Sequence, residues 1–319
     1  MAGYHEGELA VQARVGVECA ASRLESMLVG NFIAEPMSAF LAQRNVAFLA
    51  TTDRQGRFWC SPLFAPRGFL VAQGRMLRVN ALPVGDDPLR EVLAGERVGL
   101  ITIEFALRRR FRVNGRVSLV DDAGFSIAIE EAYGNCPQYI QQRVLEVEPD
   151  LTVARIFSRG FRTRLDGADR EIITLADTFF LGTIHPERGA DCSHRGGAPG
   201  FVRVEGDSLW WPDYSGNNMF NSLGNLETDP RASMVFVDFE GRTSLHLSGN
   251  AHASYGKSGP GDDDRTGRRV TFIPEAVVSV HHPEIRASGP VPYGRNPALA
   301  DATAVRESPA KTGGSRVRG

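Results

Sequence analysis

The chain lacks the features that mark several large protein classes. It has only 4 cysteines in 319 residues, Cys19, Cys60, Cys136 and Cys192, and no CxxC spacing among them. That pattern offers no disulfide framework and fits a reducing cytoplasm. No apolar stretch approaches the ~18–20 residues of a membrane span, and the N-terminus has no basic-then-apolar signal pattern. A cytoplasmic protein with no membrane partner is expected. The net charge of −2 argues against a general nucleic-acid binder. What remains is 42% hydrophobic, enough for real cores, with length for two domains of ordinary size.

The richest stretch runs from Asp191 to Asp238. Two strand-like runs, Phe201–Val204 and Ser208–Trp211, flank a turn at Gly206, which can enter positive φ. Pro212 ends the second run because it has no N–H to give. The loop that follows, Tyr214, Ser215, Gly216, Asn217 and Asn218, is small, polar and rich in donors. Met219, Phe220, Leu223 and Leu226 then recur at helical spacing, which places the loop at a helix N-terminus. Free N–H groups and the positive end of the helix dipole suit a phosphate there. Taken alone, the loop fits a tight turn whose Asn and Ser residues cap the helix equally well.

An internal repeat adds weight. Val46–Val79 aligns without a gap on Thr178–Trp211, at an offset of 178 − 46 = 132. Identities include Phe48/Phe180, Cys60/Cys192, Ser61/Ser193, the Gly68-Phe69/Gly200-Phe201 pair and Gly74/Gly206. The unit is far longer than a solenoid repeat, so the chain is two copies of one domain. Within the first copy, Arg110, Arg112, Asn114 and Arg116 fall on one face of a strand, with Phe111 and Val113 on the other. Forked guanidinium donors on one face suit an anion held by the second copy. A solvated edge strand would carry such a face too. At Ala81–Asp87 the first copy has two acids where the second has its polar loop, so only the second copy keeps a phosphate site.

The order of elements in each copy resembles the FMN-binding split barrel of the pyridoxamine 5′-phosphate oxidase superfamily. It is most similar to two-copy bacterial flavin-nucleotide-binding members. The carrying residues are Ser193-His194-Arg195-Gly196-Gly197, Pro199-Gly200-Phe201, Pro212-Asp213-Tyr214 with Gly216-Asn217, and Leu223-Gly224-Asn225-Leu226 with Asp229-Pro230. In the first copy they are Arg108–Arg110 with Arg112–Gly115, and Gly134–Pro137 with Tyr139-Ile140. The resemblance implies a mainly β, α+β fold of tandem split barrels paired as an intramolecular pseudo-dimer, with whole chains able to pair further as a homodimer. It implies FMN in the groove between the barrels. The phosphate would lie on Tyr214–Asn218, the Ser193, His194 and Arg195 strand along the flavin ring, Asn225 in support of the loop, and Arg110, Arg112 and Asn114 closing the groove. The run of Arg and Lys that binds phosphate and substrate in the oxidase itself is missing, which sets pyridoxamine phosphate oxidation apart from FMN binding.

The expected layout is an N-terminal extension (residues 1–30) with a helix over Val17–Met27 leading into a first barrel (31–145). A linker (146–170), a second barrel (171–282) and a disordered tail (283–319) follow. A helix over Leu89–Leu93 and a helix-containing segment over Gly124–Arg143 are expected in the first barrel. No metal is expected: His185, Asp191, Cys192 and His194 are near in sequence, but a strand sends them to opposite faces. Three functions fit: an FMN-dependent oxidoreductase acting on a small molecule, a flavin-storing protein without turnover, and a haem-binding barrel using His194, His246 or His252. The deazaflavin F420 could replace FMN in the first. No catalytic residue or substrate is legible.

Overall fold

The structure is a computed structural model that describes residues 3–148, 158–258 and 262–300. Its first sheet holds β1 (Val46–Thr52), β2 (Phe58–Phe64), β3 (Leu70–Gln73), β4 (Met76–Val79), β5 (Arg97–Glu104), β6 (Arg109–Asp121) and β7 (Gly124–Gly134). Strands β8 (Leu145–Val147) and β9 (Ser158–Arg162) precede the second copy. The second sheet holds β10 (Thr178–His185), β11 (Gly189–Gly196), β12 (Arg203–Glu205), β13 (Ser208–Pro212), β14 (Arg231–Asp238), β15 (Thr243–Tyr255) and β16 (Arg268–His281), and β17 (Ile285–Ala287) follows. Helices are few and short: α1 (Glu6–Val15), α2 (Glu18–Ser22), α3 (Glu35–Ala42), α4 (Gly167–Leu175) and α5 (Asn221–Thr228).

Duplication is written into the hydrogen bonding. The first sheet runs β2-β1-β5-β6-β7-β4-β3, and the second runs β11-β10-β14-β15-β16-β13-β12, which is the same order copy for copy. Both long hairpins also slip register at the same place, between Asn114 and Gly115 and between Ser248 and Gly249. Each glycine approaches the partner strand closely: a Cβ on Gly115 would meet the Ala128 carbonyl oxygen at 2.1 Å, and one on Gly249 the Ile273 oxygen at 2.0 Å. Close approach of this kind is what a glycine in a strand usually marks.

The two barrels pair face to face about a pseudo-two-fold axis. A residue on such an axis meets its own counterpart. Phe48 stacks on Phe180 with centroids 3.4 Å apart, and Cys60 Sγ lies 3.6 Å from Cys192 Sγ. Both pairs share the 132-residue offset of the repeat. Around them Val46, Ile101 and Ile103 of the first copy and Ala190, Val235 and Val237 of the second form one buried cluster. Each copy keeps its own core as well, and a small fourth cluster of Leu28, Tyr133 and Met219 ties the N-terminal extension to both copies. Burial of each such large side chain stabilises by about 1.5–3 kcal/mol. Gly99 lets β5 lie against β11, since a Cβ there would meet the Asp191 backbone at 2.5 Å.

The structure departs from the sequence reading in five places. The helix expected over Val17–Met27 ends at Ser22, and a 3-10 turn over Glu25–Val29 follows. Gly124–Arg143 begins with strand β7 and contains no helix: Phe125, Ile127 and Ile129 alternate at period two and fill the first core. Leu89–Leu93 is a set of turns, because Asp87 holds the chain against the sheet through Leu89 N–H while Leu89 and Val92 plug into the core. The N-terminal extension docks on the second copy through α1, where Gly7 and Gly224 let α1 and α5 cross at contact distance. The tail does not leave the fold at residue 283: Ile285–Ala287 pairs with Leu145–Val147, and Val291 bridges to Gln142. Residues 301–319 of that tail lie outside the described residues. Among the described residues no helix is long and apolar enough to cross a membrane.

Candidate functional site

One groove runs between the barrels, where β6 of the first copy faces β11, β13 and the start of α5 in the second. Its two contiguous parts, open to solvent at the mouth, hold about 490 and 620 Å3 of space. The first part lies at the helix end and is lined by Gly216–Leu223, Arg112, Tyr133 and Arg195. The second lies under Tyr139, Phe201, Trp211 and Tyr214 and reaches Arg110, Cys136 and His194. Tyr214 and Tyr139 tilt against each other at 5.1 Å, giving this part an aromatic wall.

The loop sits where its sequence places it, at the N-terminus of α5. Asn217 makes its own turn, its Oδ1 accepting from Met219 N–H at 3.2 Å. Asn218 (φ 61°) and Phe220 (φ 59°) both hold left-handed backbone, a strained choice for non-glycine residues. Asn221–Leu223, the first turn of α5, borders the groove, and first-turn N–H groups have no intrahelical acceptor. Ser215 faces the other way: its N–H donates to Asp264 at 2.5 Å and its carbonyl accepts from the Tyr139 hydroxyl at 2.8 Å.

Strand alternation sends Arg110, Arg112 and Asn114 toward β11. Arg112 is buried and donates to both carboxylate oxygens of Asp191, at 2.9 and 3.1 Å, and to the Tyr133 hydroxyl at 3.2 Å. Burial works against its charge, but Asp191 and Tyr133 outweigh that and raise its pKa above the ordinary value. Asn114 also donates to Asp191. Arg116, farther along the same face, is exposed beside Glu130 and takes no part.

Arg110 and Arg195 are different. Both are half-buried with Nε atoms shut off from solvent and unpartnered. Neither has an ion pair among the described residues, whereas Arg112 and Arg268 are neutralised by Asp191 and Asp213. Burial, with Arg112 and Arg195 nearby, lowers Arg110 to about 9. Burial also lowers Arg195, against the pull of Asp213. Arg110 donates to His194 Nδ1 at 2.7 Å. A guanidinium can only donate, so Nδ1 accepts and the His194 proton sits on Nε2. That Nε2 is buried and has no partner among the described residues. Burial first, then Arg110, Arg195 and Arg143, hold His194 well below its ordinary pKa, so the ring is a neutral donor.

Of the sequence-derived candidates, the structure gathers Arg110, Arg112, His194, Arg195, Tyr214, Gly216, Asn217 and Asn218 along the groove. Ser193 is fully buried behind it, bonded to Ser222 at 3.0 Å. Asn114 lies below it on Asp191, and Asn225 lies under α5, bonded to Thr183 at 3.0 Å rather than to the loop. The helix packs its Asn225 face onto β10, so that residue cannot reach the loop. Tyr133, Asn135, Cys136 and Trp211 border the groove without having been singled out for it. Gly134–Pro137 breaks the regular pattern after β7, which was the available signal for the first three.

His5, Glu6 and His185 bring possible ligand atoms within 4.8 Å of one another on the far side of α5. The tautomers oppose a metal. His5 Nδ1 accepts from Gly7 N–H, and His185 Nδ1 accepts from Glu187 and Arg188 N–H, all at 3.1 Å. Each Nε2 therefore carries a proton, whereas a metal-bound histidine donates from its other nitrogen.

Comparison with known proteins agrees with this architecture. Residues 33–157 and 165–265 match the pyridoxamine 5′-phosphate oxidase family. Among solved structures, a Clostridium acetobutylicum protein related to general stress protein 26 of B. subtilis is 14% identical over 38% of this chain and 91% of its own, with a TM-score of 0.29. HutZ, the heme storage protein from Vibrio cholerae, is 13% identical over 36% and 93%, with a TM-score of 0.28. A FAD-binding protein from Mesorhizobium loti is 12% identical over 38% and 99%, with a TM-score of 0.27. No curated protein matches. With the family matched twice along one chain and the sheets repeated in the same order, this protein belongs to the pyridoxamine 5′-phosphate oxidase family.

Proposed function

We propose that the groove binds one FMN and that the protein is a flavin-dependent oxidoreductase. The carrying observation is the pair of unneutralised guanidinium groups, Arg110 and Arg195, beside the strained loop at the α5 N-terminus. Charge removed from water without a partner is costly, so the site calls for an anionic ligand. The orphaned polar atoms fit a flavin nucleotide: Arg195 and the Gly216–Asn218 loop would hold the phosphate, and His194 Nε2–H and the Trp211 indole N–H, also unpartnered, would meet acceptors on the ring. When bound, FMN supplies the electron-transfer chemistry. The chain's own part is to orient it, exclude water with Tyr139, Tyr214 and Phe201, and fix charge around it.

The same tautomer counts against haem. His194 has no free ring lone pair while Arg110 donates to it, His246 is sealed in the other barrel interface, and His252 is exposed. F420 shares the phosphate chemistry, so the test includes both ligands. The measurement is an absorbance spectrum of protein purified after FMN is supplied, followed by titration of the apoprotein with FMN and F420. We expect a retained flavin band, lost in Arg195→Gln and in the double variant Asn217→Asp, Asn218→Asp. Tight F420 binding without FMN binding would replace the cofactor, and a folded wild type that binds neither would end the reading.

A further inference from the structure

The two parts of the groove carry charge for different purposes. Arg195 and Arg112 line both parts, but Arg110 and His194 line only the part away from the α5 N-terminus. A phosphate seated on the loop therefore leaves Arg110 without a counter-charge. The acids nearby are engaged elsewhere: Asp191 holds Arg112, Asp213 holds Arg268, Asp263 holds Arg203, and Asp264 accepts from Ser215 on the outer side of the loop. His194 cannot compensate either, being a neutral ring that already accepts from Arg110. Its remaining N–H is buried and unpartnered. One cation and one neutral donor thus face the space beside the aromatic wall, and neither has a carboxylate partner among the described residues.

We propose that Arg110 and His194 make this end of the groove selective for the reduced flavin, binding its N1-deprotonated anionic form more tightly than the oxidised form. The inference rests on the flavin reading above. An oxidised flavin ring is neutral. Uptake of two electrons and one proton leaves the ring with one negative charge, and only that form answers both an unpaired guanidinium and a free N–H. The phosphate is the same in both states, so Arg195 and the loop contribute nothing to the difference; a site favours one state only by its differential affinity. By the same cycle, tighter binding of the reduced form raises the reduction potential of the bound flavin. Arg110 stays protonated at neutral pH even with its pKa lowered to about 9.

The test is a pair of anaerobic titrations of apoprotein, with FMN and with dithionite-reduced FMN, at neutral pH. The potential of bound FMN against a reference dye gives a second readout. The expected result is reduced FMN bound about tenfold more tightly, a rise of roughly 30 mV for a two-electron couple. Arg110→Gln should erase the preference, Arg110→Lys should retain it, and Arg195→Gln should weaken both states alike. Equal or weaker binding of reduced FMN by wild type overturns the proposal, as does a preference that survives in Arg110→Gln. If Arg110→Gln does not fold, the wild-type ratio and Arg110→Lys still decide. A folded wild type that binds neither state overturns the flavin reading itself, a distinct failure.

Discussion

The pseudo-two-fold axis relates two grooves, and evolution of the two copies has taken them in opposite directions. Where the first groove has Arg110, Arg112 and Asp191, the second has Ser244, His246 and Trp59. Where the first has the polar loop at α5, the second has Val84–Asp87. The inner end of the second groove is filled by its own side chains, and an open cleft lined by Trp59, Asp87, Pro88 and Phe161 lies outside it. His246 Nδ1–H donates to the Cys60 carbonyl at 3.0 Å, so its Nε2 accepts from Ser244 at 2.7 Å, and Ser244 in turn accepts from His282 at 2.7 Å. Asp87 accepts from Ser61 at 2.6 Å and from Leu89 N–H. Strand β9 then adds to β16 and lays Phe161 over the mouth, under Arg57. Nearly all the polar groups of the second groove satisfy one another, one Asp87 oxygen excepted, whereas the first groove leaves guanidinium, imidazole and indole donors open. The difference teaches that one fold with one register can be a site or a strut, depending on whether its buried charges find partners inside the chain.

That contrast can be broken most severely at Asp191. Asp191→Ala would strand Arg112 in a buried position, and we expect a loss of about 3–5 kcal/mol in urea unfolding together with loss of ligand binding. The first groove alone is backed by α1, whose buried Glu8 bonds to His5 N–H and Asn221. Burial raises Glu8 to about 7. Its neutral form is favoured in the fold, so that stability is full below the ordinary carboxylate range and is lost as pH rises from there to about 7. Its surroundings, His5, His185, Glu131 and Arg188, add slopes of their own. Stability followed against pH should show a Glu8 contribution on the order of 2–3 kcal/mol, absent in Glu8→Gln.

His246→Ala should cost about 1–3 kcal/mol in the same assay by removing the partner of the Cys60 carbonyl and one of the two ring partners of Ser244, yet leave FMN binding intact. The smallest effect is expected at the lid of the second groove. Phe161 is half exposed, and Phe161→Ala should change stability by less than about 1 kcal/mol. Calorimetric titration of that variant should still give one FMN per chain, because the network beneath it fills the space. Two sites would show that the strand, and not the network, closes the second groove.

Much of this was legible in residue order. The gapless repeat, the Gly-Phe pairs and the period-two runs located the strands of both repeats except β7, because strand alternation and turn glycines are local requirements, whereas β8, β9 and β17 fall in the stretches expected as linker and tail. Local pattern failed at Leu89–Leu93 and Gly124–Arg143, where short apolar runs fit helix and strand alike. It also failed for Asn225, whose neighbours in sequence border the loop while its side chain points into the barrel.

By itself, the sequence determined the duplication, the place of the polar loop at a helix start, and the common face of Arg110, Arg112 and Asn114, since each follows from period, turn chemistry or spacing along one segment. Only the tertiary structure decided which of those charges are spent. Asp191 lies 79 positions from Arg112 and neutralises it, while Arg110 meets a neutral histidine 84 positions away and Arg195 pairs with no carboxylate among the described residues. Charge compensation is a property of distance in space, and spacing along the chain does not report it.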